Sequence, residues 1–324
     1  MTIQDFVSNY NGNGRGVSGT YPANYSYDAN IVGVDKLEAI CNVDSKPNVT
    51  GFRTLDPWFM YFVSALECET NKNVGKICVK FNYEEDNVCN MRSLGRRLFY
   101  LAENNGWELD FMSAYGNKIE LSNGLERESN EIIRVDYNDP GDNKENGRTE
   151  KDFQTFLFAS SLAAQREGHN TNERLAIFGP DFFNLKKKKY PIAREFSTGA
   201  FAGEKAQANR ILPTYFIDFV TINKYGQLSI IEFKLNDKKM ECMAQILDYA
   251  LFVLIHKKSF IDNLRGPFKS NVKEDGDFVC YIASNAFHKR FSEIEKYYAP
   301  NKENKFGFHF KKILLGYTSA FEEK

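Results

Sequence analysis

Residues 213–235 read PTYFIDFVTINKYGQLSIIEFKL: two apolar runs around the polar turn NKYGQ. Asp218, Glu232 and Lys234 interrupt those runs. Successive strand residues point to opposite faces, so Glu232 and Lys234, two apart, share one. With the turn centred on Tyr225, Asp218 lies seven residues before the centre and Glu232 seven after it. That register sets the two carboxylates opposite each other, with Cβ atoms about 5 Å apart. A two-residue slip would keep them on one face, whereas a one-residue slip would separate them.

Two carboxylates that close repel, and their burial is costly unless something compensates. A divalent cation does so. Hard oxygen ligands suit Mg²⁺ or Mn²⁺, which take one or two carboxylates and complete their shell with water and phosphate oxygens. Lys234 would stand beside such an ion, where it can orient or deprotonate an attacking water. The ion would polarise a phosphate and stabilise the leaving oxygen. The hairpin therefore reads as a site for metal-dependent phosphodiester hydrolysis.

The flanking sequence supplies a frame for it. TEKDFQTFLFASSLAAQ (149–165) has an apolar stripe at Phe153, Phe156, Leu157 and Ala164, and Glu150 lies on its edge. A short strand is expected at PIAREF (191–196). DKKMECMAQILDYALFVLIH (237–256) reads as a helix with Gln245 and Tyr249 one turn apart on one face. DFVCYIAS (277–284) is a strong strand, FSEIEKYYA (291–299) a helix and FGFHFKKILLGYT (306–318) a last strand. The predicted order is α, β, β, β, α, β, followed by an addition.

Upstream, NYNGNGRGVSGTYPANY (9–25) scatters its glycines without phosphate-loop spacing and reads as a surface loop or arm. PWFMYFVSALE (57–67) predicts a helix, and KICVKFNY (76–83) alternates like a half-buried strand. NMRSLGRRLFYLAENNGW (90–107) has helical spacing at Leu94, Leu98 and Leu101. ELDFMSAYGNKIEL (108–121) reads as a hairpin and EIIRVDY (131–137) as a strand. The turn-rich NDPGDNKENGR (138–148) marks a boundary between residues 1–140, a small α+β unit of unassigned role, and residues 149–324. No internal repeat is visible. The fold class expected is α/β, in the α+β sense, with a mixed sheet flanked by helices.

A formal net charge of -1 gives no global field for nucleic acid, so any such binding needs a local patch. Lys238 and Lys239, at the start of the Gln245 helix, lie nearest the hairpin site. Lys186, Lys187, Lys188 and Lys189 form a run that is either a solvated loop or a phosphate clamp without base specificity. Six cysteines without a CxxC pair, and four histidines without HExxH, argue against structural zinc. His169, His256, His288 and His309 are read as structural or surface residues. No signal peptide is evident, so free thiols in a reducing cytoplasm are expected. The longest apolar run, Ile246–Ile255, is interrupted by Asp248 and too short to cross a bilayer, so no membrane partner is expected.

Asp218, thirteen intervening residues and then Glu232-Phe233-Lys234 resemble the motif of the PD-(D/E)xK nuclease superfamily. The predicted helix–strand order resembles its restriction-endonuclease-like αβββαβ core. Gln245 and Tyr249 resemble the QxxxY motif of the RecB-like branch, and TEKDFQTFLF resembles the opening of Shedu-type anti-phage nucleases. The resemblance spans roughly residues 149–290. Ile217 stands where the family carries a proline before the first Asp. The resemblance implies Asp218, Glu232 and Glu150 as metal ligands, Lys234 as the partner of the water, and Gln245 and Tyr249 as residues that shape the site or contact DNA. It implies a nuclease in a defence or restriction setting, with DNA the expected polymer, although the shared phosphate chemistry does not separate DNA from RNA. It leaves room for a homo-oligomer, for a catalytically inactive DNA-binding or assembly module on the same fold, and for an RNase.

Overall fold

The computed structural model describes residues 24–32, 35–47, 49–84, 88–117, 132–134, 150, 154–155, 157–158, 175–182, 192–202, 204, 206, 210–213, 216–235, 239–263, 273 and 275–315. The predicted boundary at 138–148, the Lys186–Lys189 run and Lys238 lie outside these residues.

Strands β1 (Tyr25–Val32) and β2 (Lys36–Val43) form an antiparallel hairpin. Helix α1 (Val49–Thr70) then crosses to β3 (Asn73–Phe81), which runs parallel to β2. Helix α2 (Val88–Asn105) crosses to β4 (Glu108–Met112), parallel to β3. The result is a four-stranded mixed sheet ordered β1-β2-β3-β4. The predicted helix at 57–67 extends further upstream, because Pro57 lies inside α1 rather than at its start. The burial of Phe52 and Leu55 before it accounts for the extra turns. Proline removes one ladder hydrogen bond there. The first half of the expected 108–121 hairpin is β4, and the rest passes outside the described residues beyond Asn117.

Strand β5 (Ile132–Arg134) pairs with β7 (Ala200–Ala202) as a small separate ladder. The second large sheet contains β6 (Ile192–Ser197), β8 (Phe216–Ile222), β9 (Leu228–Lys234), β10 (Phe278–Ser284) and β11 (Phe308–Leu314). Its order is β11-β10-β9-β8-β6. The β8–β9 hairpin is antiparallel. Helix α3 (Glu241–Asn263) crosses from β9 to the parallel β10, and α4 (Phe291–Tyr298) from β10 to the parallel β11. His256, with φ -113° and ψ 20°, breaks the regular backbone of α3.

The chain is thus a mixed α/β protein, with two mixed sheets and four helices of described bounds. Both sheets contain the same succession: an antiparallel hairpin, a crossover helix, a parallel strand, a second crossover helix and a further parallel strand. The sequence shows no repeat, but the topology does. Apolar periodicity dictates element type and is satisfied by many residue choices, so two segments can share an order of elements without visible identity.

The four helices pack against one another, α1 and α2 also on the first sheet and α3 on the second, so the helices separate the sheets. Buried side chains from both halves make one hydrophobic cluster, from Tyr25 and Phe59 to Phe233, Tyr249 and Phe308. Polar contacts cross the same layer. Arg97, 1% exposed, bonds the Asp56 carboxylate with Nε at 3.0 Å and Nη2 at 2.9 Å, and Asp248 of α3 with Nη1 at 2.8 Å. Tyr298 of α4 donates to Asp56 at 2.8 Å. Among the described residues no helix is long and apolar enough to cross a membrane.

Candidate functional site

The β8–β9 turn places the site. Asn223 Oδ1 accepts the backbone N–H groups of Tyr225 (3.0 Å) and Gln227 (3.1 Å). Gly226 takes φ +78°, a conformation that favours glycine. The ladder runs Ile222↔Leu228, Thr221↔Ser229, Val220↔Ile230 and Phe219↔Ile231. One further step in this register sets Asp218 opposite Glu232, as the symmetric hairpin predicts. The other neighbour of β8 is irregular at the same level. Pairing with β6 runs Arg194↔Phe219 and Phe196↔Ile217, and between them Glu195 takes φ +45°. A non-glycine residue in that region carries local strain.

Four predicted residues come together here. Asp218 Oδ2 accepts the Phe233 N–H at 2.7 Å. Lys234 Nζ lies 2.6 Å from Glu232 Oε1 and 3.6 Å from Glu150 Oε1. Glu150 Oε2 accepts the Leu235 N–H at 2.8 Å, which ties a helical residue to the end of β9. Side-chain exposure rises from Glu232 (0%) through Lys234 (15%) to Glu150 (29%), so solvent reaches the cluster from the Glu150 side.

Gln245 and Tyr249 sit beside this cluster, on α3. Gln245 Nε2 donates to the Tyr249 hydroxyl at 3.0 Å, and that hydroxyl donates to the carbonyl of Phe216, two residues before Asp218. Their observed contacts are thus with each other and with β8. Lys239 is exposed just before α3. One neighbour escaped the sequence reading: Gln154, buried, hydrogen-bonds Asp218. It lies one helical turn after Glu150, and that i, i+4 spacing was the available signal.

Electrostatically the site is strained. Burial, and next the charge of Asp218, push the Glu232 pKa up to about 8. Burial raises Asp218 to about 6, against the opposing pull of Lys234. Burial also disfavours the Lys234 ammonium, but Glu232, Asp218 and Glu150 outweigh it and hold the pKa well above the usual lysine value. Glu232 Oε2 is buried and makes no hydrogen bond among the described residues.

The donor set can be tested against a divalent ion. Among the described residues no group of three or more His, Cys, Asp and Glu converges as a metal centre. Two facing carboxylates, one with an unpartnered buried oxygen, still suit a hard cation that completes its shell with water and phosphate. Asp218 and Glu232 are the residues that could hold it. Glu150, the third ligand that the resemblance implies, is engaged at Oε2 by the Leu235 N–H and faces Lys234 with Oε1.

No family model matches the chain, and neither a curated protein nor a solved structure is similar to it at a significant level.

Proposed function

We propose that this protein is a metal-dependent nuclease whose second sheet and flanking helices form a restriction-endonuclease-like core, with Asp218, Glu232 and Lys234 as its reacting set. The observation that carries the reading is Glu232: a wholly buried carboxylate opposite a second one, with an ammonium 2.6 Å away and one oxygen unpartnered. A wholly buried carboxylate beside a second one is costly even with an ammonium against it, and such groups cluster at functional sites. Mg²⁺ or Mn²⁺, when bound, would polarise the scissile phosphate and stabilise the leaving oxygen. Asp218 and Glu232, one step beyond the Phe219–Ile231 pair of the ladder, would supply its oxygen ligands, and the Phe233 N–H holds the Asp218 carboxylate. Lys234 presents its ammonium beside them, where it orients a water and stabilises negative charge that develops during attack. Gln154 and Glu150 brace this arrangement from the helical side. Lys239 is the described member of the basic patch that would meet the phosphate backbone, and DNA is the favoured polymer.

The ion pair itself favours a second reading. Lys234 already sits against Glu232 without a metal, so the same geometry suits a non-catalytic nucleic-acid-binding or assembly module. Incubation with plasmid, linear duplex, single strands and RNA, each with Mg²⁺, Mn²⁺ or EDTA, decides between them. Metal-dependent cleavage of DNA that EDTA abolishes supports the nuclease. Cleavage of RNA alone makes it an RNase. Binding without cleavage of any polymer supports the module.

A further inference from the structure

Helix α3 is held from two sides by adjacent residues. Asp248 points into the helix layer, where Arg97 Nη1 reaches Oδ2 at 2.8 Å and Ser93 Oγ donates to Oδ1 at 2.5 Å. The next residue, Tyr249, reaches the Phe216 carbonyl at the start of β8. All five guanidinium N–H groups of Arg97 are used: its other partners are Asp56, the Phe52 carbonyl (2.8 Å) and Ser93 Oγ (3.0 Å). Packing alone would not require this. Apolar residues of similar volume usually replace a buried ion network at no cost in stability, and the best-attested use of such networks is to fix one geometry among near-equivalents. Most described residues of α3 from Cys242 to Val253 are buried, and such a helix can pack in near-equivalent rotations among which a charged anchor selects one.

We infer that Asp248, anchored by Arg97, is a positioning residue: the first half of the chain sets the rotation of α3 and, through Tyr249, the start of the strand that carries Asp218. The Phe216 side chain is 49% exposed, so the grip of Tyr249 replaces packing at that point. The activity arm of the test rests on the nuclease reading; the structural arm does not.

Hydrogen exchange of the full-length protein, read peptide by peptide, tests it. Asp248→Asn and Tyr249→Phe should each accelerate exchange across Phe216–Lys234 about tenfold relative to β10 and β11, the net worth of one hydrogen bond. The double variant should show no more than the larger single effect, because both act through one linkage. A uniform rise over β8 to β11, no local rise, or additive effects would overturn the inference. Should Asp248→Asn not fold, Ser93→Ala, which removes one hydrogen bond from Asp248, gives the same local reading. In single-turnover cleavage, Asp248→Asn should lower the rate and leave the nucleic-acid Kd in Ca²⁺ unchanged. An equal loss in both would make its role general stability, against the inference. A wild type that cleaves nothing removes the nuclease reading and leaves the exchange result to decide this one.

Discussion

Glu232 carries the largest electrostatic tension in the site. Its raised pKa, about 8 against an ordinary 4.5, means that the folded protein prefers the protonated form. The stability from this preference is present at low pH and is lost as pH rises towards 8. Asp218, raised to about 6, adds the same sign in a lower window. In EDTA the melting temperature should therefore fall between about pH 5 and pH 8, and it should fall less in Glu232→Gln. An identical slope in both proteins would show that Glu232 is not the group responsible. Mn²⁺ at pH 8 should restore the loss by mass action, since it binds only the folded pair. Asp218→Ala should abolish most of that recovery; an equal shift in wild type and variant would remove the two residues as ligands. Asp218, Glu232 and Lys234 were legible in the sequence because charge inside an apolar run is conspicuous. Glu195 was not, because a left-handed backbone at a non-glycine residue leaves no compositional trace.

At the scale of the element, the β8–β9 hairpin depends on its turn. Asn223 is fully buried and accepts two backbone N–H groups, and its Nδ2 donates to Gln227 Oε1 at 2.9 Å. Asn223→Ala leaves those donors unpaired and should cost about 1–3 kcal/mol in urea unfolding. A change within error would mean the apolar ladder alone fixes the register. The shared face of Asp218 and Glu232 could be read from sequence through the turn centred near Tyr225, but the register only to within a two-residue slip, which keeps that face. Helix extents were less legible. Proline normally marks a helix start, yet Pro57 lies inside α1 because burial on both sides outweighs one lost hydrogen bond. The sequence reading ended α3 at His256, where the backbone does depart from helical values, but the helix continues to Asn263 beyond it.

For the whole molecule, the sequence suggested two units and gave no sign of how they meet. The carboxylate partners of Arg97 are 41 and 151 residues away in the chain, and periodicity identifies a buried face without saying what covers it. The shared cluster and the Arg97 network predict cooperative unfolding. Both tryptophans, Trp58 and Trp107, lie in the first half, while Cys280 is buried in the second. Tryptophan fluorescence and pulse labelling of Cys280 should give the same urea midpoint. Separated midpoints would mean that the halves unfold independently. Removing the guanidinium, as in Arg97→Leu, should shift both midpoints together and cost about 3–5 kcal/mol, because two buried carboxylates lose their counter-charge.

Single-turnover cleavage by Lys234→Met, paired with a binding titration in Ca²⁺, tests the proposed nuclease most directly. The substitution keeps most of the apolar stem and removes the charge and donors beside Glu232. The rate should fall by about 10²-fold or more, the usual worth of one positioned donor at developing negative charge, while the nucleic-acid Kd changes little because one phosphate contact among several is lost. A variant that cleaves near the wild-type rate would contradict the assignment of Lys234 and, with it, the reading of this hairpin as a catalytic site.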